Sequence, residues 1–246
     1  METSVIKQRT IGEIVAENYH AATVFEKHQI DYCCGGKKTL NMVCQERGLD
    51  PVKLQKEIEE TNLPSEMPPS QNSSKWSLAL LVNYIVEAHH QYIKESIPVL
   101  LKNLDKIASV HGKNHPELFI IHEIFKTLSV ELSEHLHKEE TVLFPYIIQL
   151  VKAETEHTKP ELPVFNTIQN PLRMLETEHD VAGNLMFNIR ELSNRYFPPA
   201  DACTTYKVTL LKLQEFETDL HHHVHLENNI LFPKAVKLEE SLRANP

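Results

Sequence analysis

Two stretches of this chain repeat one arrangement of metal-capable side chains. His135-Leu136-His137-Lys138-Glu139, followed by Leu143-Phe144-Pro145, returns as His223-Val224-His225-Leu226-Glu227, followed by Leu231-Phe232-Pro233. The shared pattern is H-x-H-x-E-x-x-x-L-F-P, displaced by 88 residues. Imidazole nitrogens and carboxylate oxygens together suit iron, manganese or zinc better than a thiolate-preferring metal. Two further histidines keep the same step. His90 precedes His135 by 45 residues, His179 precedes His223 by 44, and 89 residues separate His90 from His179. A matched set of this kind points to a duplicated helix pair closing on one shared site.

Helical geometry sorts these residues into ligands and bystanders. Residues four apart share a face, so His135 points with Glu139 and His223 with Glu227. His137 and His225 lie two residues before the glutamates, roughly 200° round the helix, and should face elsewhere. Each helix offers one imidazole and one carboxylate, and His90 and His179 come from two other helices. With both carboxylates bridging, two metals would have two histidines each and keep open positions for chemistry or small-ligand binding. H-x-x-x-E alone is a weak signal, since His157 and Glu161 also match it with Pro160 between them. A second set is available. Glu87-x-x-His90 and Glu176-x-x-His179, with Glu139 and Glu227, satisfy the ferritin-like rule of two glutamates and two E-x-x-H pairs. The two sets share His90, Glu139, His179 and Glu227. The ferritin-like one leaves the repeated histidines unexplained, which favours the histidine-rich one.

The elements that must carry these residues are helical. Among 246 residues there are only six glycines, and long stretches lack breakers. Helical patterns span 76–109, 116–152, 166–196 and 201–240, and short connections between long helices predict an antiparallel four-helix bundle. Pro98, Pro145 and Pro233 predict kinks or earlier stops. Residues 1–60 read as a small helical module. Thr10 to Glu13 looks like a capping box, and apolar positions from Ile11 to Phe25 share one helical face. Cys33-Cys34-Gly35-Gly36 breaks that helix, paired glycines permitting angles that other residues resist. A short helix is expected over 39–47, and Asp50-Pro51 opens another. Residues 61–75, with three prolines and four serines, form a linker. The fold class is therefore all-α, with module 1–60, linker 61–75 and bundle 76–240.

Composition narrows the partners. A net charge of −9 argues against nucleic acid. No apolar run approaches the ~20 residues of a membrane span. The start, Met-Glu-Thr-Ser-Val-Ile-Lys, lacks an apolar signal region. Two of the four cysteines are adjacent, which does not read as a disulfide framework, so a cytoplasmic location with free thiols is expected.

Asp31-Tyr32-Cys33-Cys34-Gly35-Gly36-Lys37 closely resembles the N-terminal signature of the ScdA/YtfE-type repair-of-iron-centres proteins. Glu178-His179-Asp180 and Leu226-Glu227-Asn228-Asn229 through Pro233 resemble that family's hemerythrin-like domain. The resemblance covers nearly the whole chain. It implies a non-haem di-iron centre (Fe2+/Fe3+), oxo- and carboxylate-bridged, in a cytoplasmic stress protein that restores iron–sulfur clusters damaged by nitric oxide or peroxide. Carried over by motif, the terminal ligands are His90, His135, His179 and His223, and the bridging carboxylates are Glu139 and Glu227. The family's register back from Pro98 selects His90 over His89. The partners implied are damaged iron–sulfur proteins or cluster-assembly proteins, and a homodimer is allowed. Repair by supplying or mobilising iron, without an assigned turnover reaction, fits better than an enzyme. A dioxygen or nitric oxide sensor, or a nitric oxide or peroxide reductase, is the alternative. Cys33 and Cys34 then read either as buried free cysteines packed as small hydrophobes or, the favoured reading, as an exposed thiol pair handling iron, nitrosyl groups or electrons; Lys37 and Lys38 either favour the thiolate or form a solvated loop. Cys44 could join them on its short helix, although the spacing is not that of structural zinc. Cys203 reads as structural. No role follows for His221, His222 and His225.

Overall fold

The computed structural model describes residues 8–61 and 73–244, so residues 62–72 of the linker lie outside the described residues. The described chain is helical, apart from an isolated antiparallel bridge between Thr10 and Thr39. It groups into two compact units. One contains residues up to Leu81, Leu150–Lys159 and the segment from His222 onward; the other contains Val82–Gln149 and Pro160–His221.

Most of the length of the bundle's helices lies in the second unit, while the segment from His222 onward lies in the first. Helix α5 (Leu78–Tyr84) passes through a π-helical turn (Ile85–His90) into α6 (Gln91–His111). Helix α7 (Glu117–Lys138) passes through a π turn (Glu139–Leu143) into α8 (Phe144–Glu156). Helix α9 (Gln169–Leu192) and α10 (Thr204–Leu226) follow, and α10 enters a third π turn (Glu227–Leu231) before α11 (Phe232–Ala244). Short connections alternate the direction of successive helices. His115 after α6 meets Asp201 before α10, Nε2 to Oδ1 at 2.9 Å, so those two connections lie at one end. The interior is aromatic and aliphatic. Phe216 on α10 packs edge-on against Phe125 of α7 at 5.4 Å and near Tyr92 of α6 at 6.3 Å. Truncating such a fully buried phenylalanine to alanine costs about 3–5 kcal/mol.

The prolines do not stop the helices. Pro98 lies within continuous α6. Pro145 and Pro233 each occupy the second position after a π turn, where Phe144 N–H reaches Glu139 O and Phe232 N–H reaches Glu227 O, five residues back. A proline lacks its N–H, and its ring would press on the carbonyl four residues back in a regular helix. The wider turn accommodates it, and such turns cluster at functional sites.

The first unit contains α1 (Ile11–Glu17), α2 (Ala21–Lys27), α3 (Leu40–Arg47) and α4 (Pro51–Glu60), with a 3-10 turn at Gly35–Lys37. Thr10 and Glu13 form the expected capping box. Asp50 caps α4 with Pro51 in its first turn. The face from Ile11 to Phe25 is not one helix. Asn18 interrupts it by accepting from His20 N–H at 3.2 Å and donating to Thr61 Oγ1 at 2.9 Å. Helix α2 then ends before the cysteines, at left-handed Gln29 (φ 57°). Neither Gly35 nor Gly36 has positive φ; at Gly36 the requirement is steric. The turn at Gly35–Lys37 and α1 both pack on the π turn that opens α11.

Candidate metal centre

In the bundle unit, His135 and Glu139 meet as the i,i+4 rule requires, Nε2 to Oε1 at 3.4 Å. His90 approaches the same carboxylate, Nε2 to Oε2 at 3.4 Å. His179 Nε2 faces His135 Nε2 at 3.0 Å. All four side chains are buried, and Glu139 is 0% exposed. His89, the other candidate on the first helix, instead places Nδ1 2.9 Å from Asp219 Oδ1.

The outward nitrogens are held by carboxylates. His90 Nδ1 lies 2.8 Å from Glu140 Oε1, and His135 Nδ1 lies 2.8 Å from Glu178 Oε2. Lys94 pairs with Glu140 and Lys138 with Glu178, each at 2.6 Å. Burial works to raise both carboxyls, but the hydrogen bonds from lysine and histidine outweigh it and hold them below the ordinary carboxylate range. A charged carboxylate on Nδ1 fixes the tautomer with N–H outward and the Nε2 lone pair inward. The sequence reading missed Glu140 and Glu178. Their adjacency to Glu139 and His179 was the available signal, since a ligating imidazole needs a partner on its other nitrogen.

In the other unit, His223 Nε2 lies 3.2 Å from Glu227 Oε1, both side chains 0% exposed. This second copy reproduces the i,i+4 pair, its burial and the π turn that begins at the glutamate. Glu87 is exposed and Glu176 half-buried; neither is among the converging buried atoms of the described residues that could hold a metal ion. Buried carboxylates beside inward imidazole lone pairs are a donor set that a cation completes, and mixed nitrogen and oxygen donors fit iron.

The cysteine loop is built around Asp31. Its Oδ1 accepts from the N–H groups of Cys33 (2.9 Å) and Cys34 (3.0 Å) and from the Cys33 thiol (3.1 Å), and Oδ2 accepts from Gly35 N–H (3.0 Å). The two sulfurs are 3.9 Å apart. Cys33 is buried and Cys34 half-buried, so the expected exposed pair is one covered and one accessible thiol. The Cys34 sulfur, burial and the Asp31 carboxylate push the Cys33 thiol up, away from the thiolate. Lys38, expected to favour the thiolate, pairs with Glu46 at 2.7 Å. Cys44 is buried on α3, and Cys203, expected to be structural, is exposed just before α10.

Two family models match the chain. Residues 7–62 match ScdA_N, a domain of unknown function, and residues 81–235 match the hemerythrin HHE cation-binding domain. The chain is 31% identical over 233 residues to a probable iron–sulfur cluster repair protein of Haemophilus influenzae, covering 93% of this chain and 97% of that protein. The chain belongs to the iron–sulfur cluster repair family. Other similar members are ScdA of Staphylococcus haemolyticus, 30% identical over 94% of this chain and 99% of the relative, and YtfE of Yersinia pestis, 29% identical over 95% and 99%. The hemerythrin match spans His90, Glu139 and His179 as well as His223 and Glu227, and the ScdA_N match spans Cys33 and Cys34. Among the described residues no helix is long and apolar enough to cross a membrane.

Proposed function

We propose that this protein repairs iron–sulfur clusters damaged by nitrosative or oxidative stress, supplying or mobilising iron from a centre of two iron ions. The proposed ligands are His90, His135, His179 and His223, with Glu139 and Glu227 bridging. Cys33 and Cys34 act in the same process by handling iron, nitrosyl groups or electrons. The proposed partners are damaged iron–sulfur proteins or cluster-assembly proteins in the cytoplasm, and the protein itself is free to act as a homodimer.

The observation that carries this reading is the pair of buried His/Glu couples, His135 with Glu139 and His223 with Glu227, each opening a π turn. Full-length similarity to proteins named for cluster repair supports the process. Iron held by these donors would supply redox chemistry and open positions for small ligands. The protein's own groups do the rest. Glu140 and Glu178 hold the Nδ1 protons of His90 and His135, so both rings present Nε2 lone pairs. Lys94 and Lys138 keep those glutamates charged. Glu139 is fully buried, which strengthens each electrostatic interaction there.

The test is recovery of activity by an iron–sulfur enzyme inactivated with nitric oxide. Iron-loaded protein restores it, and Glu139→Ala Glu227→Ala protein does not. Equal recovery by the two proteins rules out the buried centre as the agent of repair.

A further inference from the structure

Two matched positions, four residues apart, have different surroundings in the two copies of the repeated motif. His137 and Thr141 in the first copy are exposed. Their counterparts, His225 and Asn229, are respectively buried and half-buried, and both meet the N-terminal module. The His225 ring stands edge-on to Tyr32 at 5.7 Å. The Asn229 carboxamide nitrogen donates to Cys33 O at 3.0 Å and reaches Tyr32 O at 3.4 Å, with His225 Nδ1 3.2 Å away. Its side chain fills a slot between Gly12 and Gly36, where a Cβ on either glycine would overlap it. That close approach, and not an unusual backbone angle, requires the second glycine of the Cys-Cys-Gly-Gly run.

Asn229 is also the middle residue of the π turn that opens at Glu227, whose carbonyl accepts from Phe232 N–H. One short turn therefore carries a proposed metal ligand on one residue and, two residues on, the side chain that grips the backbone of Cys33. We infer that Asn229 is a positioning residue that ties the accessibility of the Cys34 thiol to metal occupancy at Glu227. This rests on the reading of Glu227 as a ligand. A ligand bond at Glu227 holds the turn in one geometry, which seats Asn229 and steadies the Cys33–Cys34 backbone. Without metal the turn relaxes and the loop samples open positions. The protein then guards its accessible thiol while loaded and exposes it once emptied. The matched position of the first copy lacks this device, because Thr141 turns its hydroxyl back to His137 O at 2.6 Å.

The test is anaerobic alkylation of the full-length protein with iodoacetamide, in metal-free form and with Fe2+ bound. Rates are read at Cys34 by peptide mass, with exposed Cys203 as internal reference. Wild-type Cys34 reacts about fivefold or more slowly when loaded, the lower range of coupling between sites. At Fe2+ concentrations that keep the variants loaded, Asn229→Ala and Gly36→Ala bring the ratio toward one. Gly36→Ala acts from the cysteine side, so a folding or binding defect particular to Asn229→Ala does not decide the matter. A purely structural Asn229 would give wild-type rates independent of iron. Equal rates in loaded and metal-free wild type, or an unchanged ratio in both variants, overturn the inference while leaving the metal reading intact. A wild-type protein that takes up no iron overturns the metal reading and the inference with it.

Discussion

Glu178 Oε2 sits 2.8 Å from His135 Nδ1, on the side of the ring opposite Glu139. The contact orients a proposed ligand without touching the metal position. Glu178→Ala should therefore preserve the helical fold and weaken iron binding by about 10–100-fold. Competition with a chelator reads this directly. Unchanged affinity would show that the contact does not orient the ring.

His135→Ala and His223→Ala should lose more iron than Glu87→Ala and Glu176→Ala. The histidines belong to buried couples, whereas Glu87 is exposed and Glu176 half-buried. Iron per chain, measured in all four variants, decides it. Greater loss in the glutamate variants would establish the ferritin-like ligand set.

Much of this was legible in the sequence, for a reason that also sets its limit. Within an α-helix, side-chain direction follows from spacing, so the pairs His135/Glu139 and His223/Glu227 and the four long helices could be read directly. A π turn adds a residue and resets that direction, so Glu87-x-x-His90, which falls in one, is not a same-face pair. Tertiary partners have no spacing at all. The adjacency of Glu178 to His179 marks it as a candidate partner but does not say that the ring it holds is His135, and nothing near Cys33 indicates Asn229, 196 residues away. The same gap explains the misreading of Cys33 as exposed and of Gly35 and Gly36 as residues of unusual φ.

The thiols should be unequal. Cys34→Ser should slow recovery of a nitric-oxide-damaged iron–sulfur enzyme more than Cys33→Ser, because only Cys34 is accessible and the Cys33 thiol is held protonated. Both variants should keep their iron, since neither sulfur is in the ligand set. Full repair by the double-serine protein would return the pair to a structural role, and loss of iron would show the ligand set to be incomplete.

His115 and Asp201 provide a pH-dependent tie between two connections of the bundle. Hydrogen bonding to Asp201 raises the His115 pKa above 6.5, and the same bond lowers Asp201 below 3.8. A raised histidine contributes stability that is complete below 6.5 and lost as pH rises through the folded value. A lowered aspartate contributes stability that is complete above 3.8 and lost as pH falls through its folded value. The stability difference between wild type and Asp201→Asn should thus peak between pH 3.8 and 6.5 and shrink on either side. The substitution should also bring the His115 pKa, followed by NMR, down toward 6.5. An unmoved pKa would contradict the assignment.

The central claim is that two copies of one His/Glu couple, with His90 and His179, hold a di-iron centre. Iron counted per chain after anaerobic Fe2+ reconstitution and desalting, with Mössbauer spectra of the same sample, tests it most directly. Two iron ions per chain in nitrogen- and oxygen-donor sites are expected, and their loss from Glu139→Ala Glu227→Ala protein. One iron per chain or fewer in the wild type, or spectra of sulfur-coordinated iron, would contradict it.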